Sequence, residues 1–211
     1  MCAQAKQAAY SLNTPPEPQP VGRFAAIDFE TADDGRDSAC ALAITVVEGT
    51  EIVQEGYFLI RPPRQYFLYT YIHGITWRDV ADKPQFAEIW PSVAQLLTGV
   101  EFIAAHNASF DRSVLYHCCH SAGLVQPSHT FHCTVKLARQ SWGVKPATLP
   151  DVCRHLGISL QHHQAESDAR ACAKIVIAAR QQGLPMSRCL GKYSGRLPGS
   201  EGGLPPINPR W

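Results

Sequence analysis

The sequence has no surplus of charge of either sign. Among 211 residues, 19 Lys and Arg face 18 Asp and Glu, a formal net charge of +1 with histidine neutral. That balance excludes a broad basic coat for non-specific duplex binding, and equally an acidic, solvating chain. Any polyanionic partner has to be gripped locally. Long apolar runs are missing too. None approaches the ~20 residues a membrane helix needs, so no membrane association is expected. The first ten residues lack a solid apolar stretch, so no signal peptide is expected and the cytoplasm is the expected compartment. No internal repeat is found. Charged residues make up only 18% and hydrophobic ones 45%, enough for a real core in one domain of ordinary size.

Cysteine is not scarce. The eight cysteines are an even number, which invites a disulfide framework, but a reducing compartment favours buried free thiols. Cys118, Cys119, His120, His129, His132 and Cys133 cluster in sequence without matching a zinc-finger spacing. Proline is concentrated at the ends. Residues 1–20 read as a flexible, Pro-rich lead-in, and residues 184–211 as an irregular Gly/Pro-rich basic tail. The folded domain is expected over residues 21–183.

Within it, Phe24–Phe29, Ala39–Val47 and Ile52–Ile60 are β-rich runs separated by Asp/Gly punctuation, which predicts a three-stranded meander. Gly49-Thr50 supplies the turn between the second and third. Residues 62–80 read as an aromatic-rich loop. A helix over Phe86–Leu97 and a fourth strand over Val100–Ala105 follow. Further helices are expected at about 109–121, 133–141, 149–156 and 167–182. The order predicts an α/β layered domain, a central mixed β-sheet flanked by α-helices.

Three stretches carry chemistry. In Ile27-Asp28-Phe29-Glu30-Thr31, strand alternation puts Asp28 and Glu30 on one face and Ile27 and Phe29 on the other. Two carboxylates side by side on an apolar strand repel and favour a cation between them, and an oxygen-rich site suits Mg²⁺ or Mn²⁺. Alone this is weak, since 18 acids in 211 residues give about 1.5 such i, i+2 pairs by chance. The second stretch, His106-Asn107-Ala108-Ser109-Phe110-Asp111, follows an apolar strand. Asn107 or Ser109 suits a helix N-cap there, and Asp111 falls in the first helical turn. The third is His162-His163 followed by Asp168 at the head of a helix, where Asp168, Cys172, Ile175 and Ala179 share one face.

Taken together, these three stretches resemble the DnaQ-like exonuclease superfamily of the DEDDh type. The resemblance lies in Asp28-Phe29-Glu30-Thr31, in His106 to Asp111, and in His163-x4-Asp168. Ile72-His73-Gly74-Ile75-Thr76, Cys133 to Arg139 and Leu149 to Ile158 add weaker matches. The pattern is most similar to the bacterial branch that holds the DNA polymerase III epsilon subunit and the PolC-type exonuclease domain, and it spans about residues 23–183.

The resemblance implies a ribonuclease H-like fold and 3′→5′ hydrolysis of phosphodiester bonds at single-stranded DNA ends, giving 5′-mononucleotides by a two-metal mechanism. It implies that Asp28, Glu30, Asp111 and Asp168 ligate two divalent cations, Mg²⁺ or Mn²⁺, and that His163 is the general base. A one-residue shift of register would select His162 instead. Phe29 and Thr31 beside the acids are candidates to contact the 3′-terminal nucleotide, as are His73 and Asn107. Phe110 suits either stacking on a base or packing within its helix. RNA is an alternative substrate, as in the similar exoribonucleases RNase T and oligoribonuclease, because the metals contact phosphate and not sugar. Gln181-Gln182-Gly183-Leu184-Pro185-Met186 loosely resembles the Gln-x-x-Leu-x-apolar peptide that docks bacterial proteins on the sliding clamp, which implies a polymerase or clamp partner. The same residues also spell a helix stop, with Gly183 past the end and Pro185 beyond it.

Overall fold

The computed structural model of this chain describes residues 22–186. The expected lead-in, residues 1–20, lies outside the described residues, as does all of the expected tail beyond Met186. The three predicted strands form as a meander. Strand β1 (Phe24–Thr31) pairs antiparallel with β2 (Ala39–Glu48), which pairs antiparallel with β3 (Glu51–Leu59). Gly49 takes the left-handed φ of +61° that the tight turn requires. Residues 62–80 hold two single-turn helices, α1 (Thr70–His73) and α2 (Trp77–Val80), the second closed by a Thr76–Asp79 capping box. Then come α3 (Phe86–Leu96), β4 (Phe102–Ala105) and α4 (Ser109–Ser121).

A fifth strand, β5 (Thr130–Cys133), precedes α5 (Thr134–Ser141), where residue patterning predicts only a helix from 133. Four residues that run straight into a helix carry too little alternation to register. Parallel pairing with β4 makes them a strand. Helices α6 (Leu149–Leu156) and α7 (Ala165–Gln181) complete the chain. The sheet order is β3-β2-β1-β4-β5, with β1 to β3 antiparallel and β4 and β5 parallel to β1. This is the expected mixed sheet flanked by helices.

Alternation along β1 divides the core. Ala25, Ile27 and Phe29 pack with Ile89 and Val93 of α3 and Val114 of α4 on one face. Phe24 and Ala26 pack with Cys172, Ala173 and Val176 of α7 on the other. There Phe24 stacks on Phe102 at 5.2 Å, Phe102 stacks on His132 at 4.1 Å, and the Arg180 guanidinium of α7 lies 5.0 Å above Phe102. This aromatic row ties three strands to α7. Leu137, Val152 and Ile175 join α5 and α6 to α7. The six described cysteines are free. No helix among the described residues is long and apolar enough to cross a membrane.

One mismatch positions the site. Pairing between β1 and β4 ends at Ala26 and Ala104, whereas pairing between β1 and β2 runs on to Thr31. Past Ala26 the β4 side of β1 is open. The chain leaves β1 toward one side of the sheet and returns as β4 on the other, so the opening is a crevice at the carboxyl ends of parallel strands, where α/β sheets bind ligands.

Phe102→Ala removes the middle ring of the aromatic row. It is expected to cost about 3–5 kcal/mol in urea unfolding, whereas Val125→Ala, at a position 88% exposed, changes little. A loss below about 1 kcal/mol for Phe102→Ala would show that the row does not hold α7 to the sheet.

Candidate active site

The crevice opens into a cleft of about 300 Å³. Asp28 and Glu30 enter it from the unpaired end of β1, on the α7 face, as strand alternation requires. Asp168, in the first turn of α7, meets them. Carboxylate oxygens of Asp28, Glu30 and Asp168 lie within 4.8 Å of one another. Asp111 arrives from the first turn of α4, and its Oδ1 accepts the Phe29 backbone N–H at 3.1 Å. That N–H lies past the last β1–β4 pair, so Asp111 replaces the missing strand partner.

Burial and mutual repulsion are written into the acidities of Asp28 and Glu30, and burial into that of Asp111. Burial first, then the charges of Glu30, Asp111 and Asp168, hold Asp28 well above the usual carboxylate range. Burial, then Asp168 and Asp111, push Glu30 up to about 8. Burial pushes Asp111 up to about 7 against the opposing Phe29 N–H and the Arg36 charge. Asp28 and Glu30 still show an edge to the cleft. The donor set is therefore all oxygen, crowded and under-compensated, which is the chemistry a hard divalent cation fits.

The two histidines divide their contacts with Asp168. His162 places Nδ1 3.2 Å from Asp168 Oδ2. His163 reaches the same oxygen with its backbone N–H at 3.0 Å, and its ring stacks on that of His162 at 3.8 Å. Burial first, then the neighbouring His162, lower the pKa of His163. His163 (φ +67°) and Asn107 (φ +67°) are the two non-glycine residues with positive φ among those described, and both line the cleft. Such conformations cost energy and cluster at functional sites.

All five expected substrate contacts border the cleft, in different ways. Phe110 belongs to its lining, with the Arg36 guanidinium 5.0 Å from its ring. Phe29 is 3% exposed and its ring sits in the α3–α4 core layer, so its N–H is its tie to the site. Thr31 is buried, and its carbonyl accepts from His73 Nε2 at 3.2 Å. His73 Nδ1 accepts the Ile75 N–H at 3.0 Å. Both His73 nitrogens are thus committed, which fixes the tautomer and ties α1 to the end of β1. His106 is engaged in the same way, with Thr134 Oγ1 at 2.8 Å from Nδ1 and the Ala147 carbonyl at 3.0 Å from Nε2. Burial above all pushes His106 down to about 4, so it stays neutral.

The expected N-cap differs. The α4 N-cap is Ala108, with no side-chain cap, because Ser109 Oγ donates to Asn107 Oδ1 and Asn107 occupies a left-handed turn.

Sequence reasoning leaves Tyr69, Ile72, His106, Lys136 and Arg139 without a place in the site, yet all five line the cleft. Their signals are present as the His-Gly-Ile loop and the Thr134-to-Arg139 stretch. Only folding shows which helix faces turn inward. The loop after β1 braces both walls. Arg64 bonds Asp33 and Asp37, Tyr69 donates to Asp34, and Arg36 covers Phe110. At the other end of the domain, Gly183 donates to the Arg180 carbonyl and Leu184 to that of Ala179, a helix-stop motif. Leu184 and Met186 pack against the α5–α7 core. The residues of the clamp-like peptide are thus engaged in ending α7.

The raised carboxyls make a thermodynamic prediction. Folded Glu30 and Asp111 hold protons that the unfolded chain gives up near pH ~4. Stability is therefore lost as pH rises from about 4 through 7 and 8. In EDTA, melting temperature is expected to fall by about 5 °C between pH 6.5 and 9. Mg²⁺ or Mn²⁺ should restore more of it at pH 9 than at 6.5. The Asp28→Asn/Glu30→Gln double variant should flatten both trends, and an unchanged slope in that variant would refute the assignment of the repulsion to these acids.

Residues 25–176 match the exonuclease family model RNase_T. The chain is 34% identical over 158 residues to exodeoxyribonuclease 10 of Escherichia coli (strain K12), a match covering 72% of this chain and 66% of that protein. It thus spans just under two thirds of that relative's length. It is 30% identical over 145 residues to the PolC-type DNA polymerase III of Bacillus cereus, covering 67% of this chain and 10% of that protein. Among solved structures, exonuclease X in complex with 5′-overhanging duplex DNA superposes with a TM-score of 0.64 at 28% identity, covering 79% of this chain and 97% of that one. The matched span holds the sheet, the cleft and all four crowded acids; residues 25–176 are an exonuclease domain of ribonuclease H-like fold, and the chain belongs to the DnaQ-like exonuclease family.

Proposed function

We propose that this chain is a metal-dependent 3′→5′ exonuclease that trims single-stranded DNA ends to 5′-mononucleotides. The observation that carries this reading is the convergence of Asp28, Glu30 and Asp168 within 4.8 Å, beside Asp111 and a histidine pair, at the open end of β1. DNA is the favoured substrate because the Escherichia coli relative is an exodeoxyribonuclease and the exonuclease X structure holds DNA.

Asp28, Glu30, Asp168 and Asp111 would hold two divalent ions, Mg²⁺ or Mn²⁺. When bound, such ions stabilise charge on the attacking and leaving oxygens of an in-line displacement at phosphorus. The chain's own groups do the rest. His163, with a lowered pKa, is neutral at pH 7 and takes the proton of the attacking water. His162 binds Asp168 and stacks on His163, fixing the approach of that ring. Asp111 keeps the end of β1 in register through Phe29 N–H. Phe110, backed by Arg36, offers a ring on which the terminal base stacks, and stacking tolerates any sequence.

A 5′-labelled single strand should shorten one nucleotide at a time from its 3′ end in Mg²⁺ or Mn²⁺. Asp28→Asn is expected to lower kcat by at least about a thousandfold, and His163→Ala by about a hundredfold. His162→Ala should cost less than His163→Ala, and the reverse order would move the base to His162. Undiminished activity in both Asp28→Asn and His163→Ala would exclude this chemistry. Faster cleavage of a matched RNA strand would assign the chain to the exoribonucleases.

A further inference from the structure

We propose that Lys136 and Arg139, on the α5 wall, form a phosphate-binding subsite for the strand 5′ of the scissile linkage. This rests on the nuclease reading of the cleft and adds to it where the uncleaved part of the strand lies.

Helix α5 is held by its inner side. Leu137 and Ala138 are wholly buried against α6 and α7, and Thr134 is fixed through His106. That anchoring turns Val135, Lys136 and Arg139 to the cleft. Lys136 and Arg139 stand at i, i+3, one above the other on the helix surface. The remaining charged side chains of the lining are the four acids, and α1 with the residue before it offers Tyr69, Ile72 and the half-buried His73, whose pKa is lowered by burial. The lysine and arginine that line the cleft thus share one wall.

Arg139 is exposed and forms no ion pair with any acid among the described residues. Arg139 lines the same cleft as His106, and its charge is among the influences that lower the His106 pKa. The chain as a whole carries a formal charge of only +1. Of the charged side chains that line the cleft, these two are the cations that meet a polyanionic strand. Guanidinium takes phosphate through paired N–H donors, and ammonium takes it as a point charge. Phosphate contacts position a strand without reading its bases, which suits an enzyme that removes any nucleotide in turn.

The test compares a substrate that has a strand with one that does not. The p-nitrophenyl ester of thymidine 5′-monophosphate offers one cleavable phosphodiester and no upstream phosphate, and a short 5′-fluorescein oligothymidylate offers both. For Arg139→Glu, KM for the oligonucleotide is expected to rise about tenfold with kcat within about twofold. For the ester, kcat/KM should change less than about twofold, and Arg139→Lys should recover most of the oligonucleotide KM. The slope of log KM against log salt should shrink by about 0.7 for each phosphate that is no longer neutralised. Lys136→Glu should act in the same direction. Equal losses on both substrates would make the pair supports of the acid cluster and overturn the subsite, as would an unchanged oligonucleotide KM and salt slope. Fluorescence anisotropy of the same strand in Ca²⁺ separates this from the nuclease reading. Wild type that binds but cleaves neither substrate, with binding weakened in Arg139→Glu, sinks the nuclease reading and keeps the subsite. Wild type that does not bind the strand sinks the subsite.

Discussion

Past Ala26, β1 keeps its antiparallel partner and loses its parallel one. The strand is held on one edge and open on the other, and it carries two carboxylates at its open end. The first turn of α7 adds Asp168, and the first turn of α4 adds Asp111 across the gap. Mutual repulsion among these acids is the constraint on which the site depends. It costs free energy in the folded chain, and it persists because the aromatic row, the buried faces of β1 and β2 and the docking of α7 fix the backbone regardless.

Burial and repulsion together link structure to chemistry. Carboxyls pushed up to about 7 and 8 are poised to exchange protons for metal near neutral pH. Around them, neutral groups do the holding. His73 and His106 each spend both ring nitrogens on hydrogen bonds, so these two rings add no competing charge. Among the side chains that line the cleft, the fixed cations are Lys136 and Arg139 on the α5 wall, while Arg36 backs Phe110. The fold of a near-neutral chain thus orders acids, histidines and cations around one cleft, where the proposed function places the polyanion.

Much of this is legible in the residues. Alternation along Phe24 to Thr31 places Asp28 and Glu30 on one face, and the four-three-four spacing from Asp168 places it at the head of a buried stripe; both hold. Strand β5 is not legible, because Thr130 to Cys133 is a strand only through its pairing with β4. The N-cap of α4 departs from the expected Asn107 or Ser109 because Asn107, a residue type that tolerates the left-handed region, takes that turn and shifts the helix start. The inward turn of Lys136 and Arg139 depends on Leu137 and Ala138 finding α7, a tertiary fact. Which histidine ring approaches Asp168 depends on the positive φ of His163, which a spacing rule does not contain.

The proposed chemistry requires these acids to hold divalent cations in exchange for protons. Calorimetric titration of Mn²⁺ into the protein at pH 7, in two buffers of different ionisation enthalpy, measures both binding and proton release. Saturable binding is predicted, with release of ~1 proton or more per protein, and loss of both in Asp28→Asn/Glu30→Gln. Binding of equal strength in that variant, or binding in wild type without proton release, would contradict the exchange.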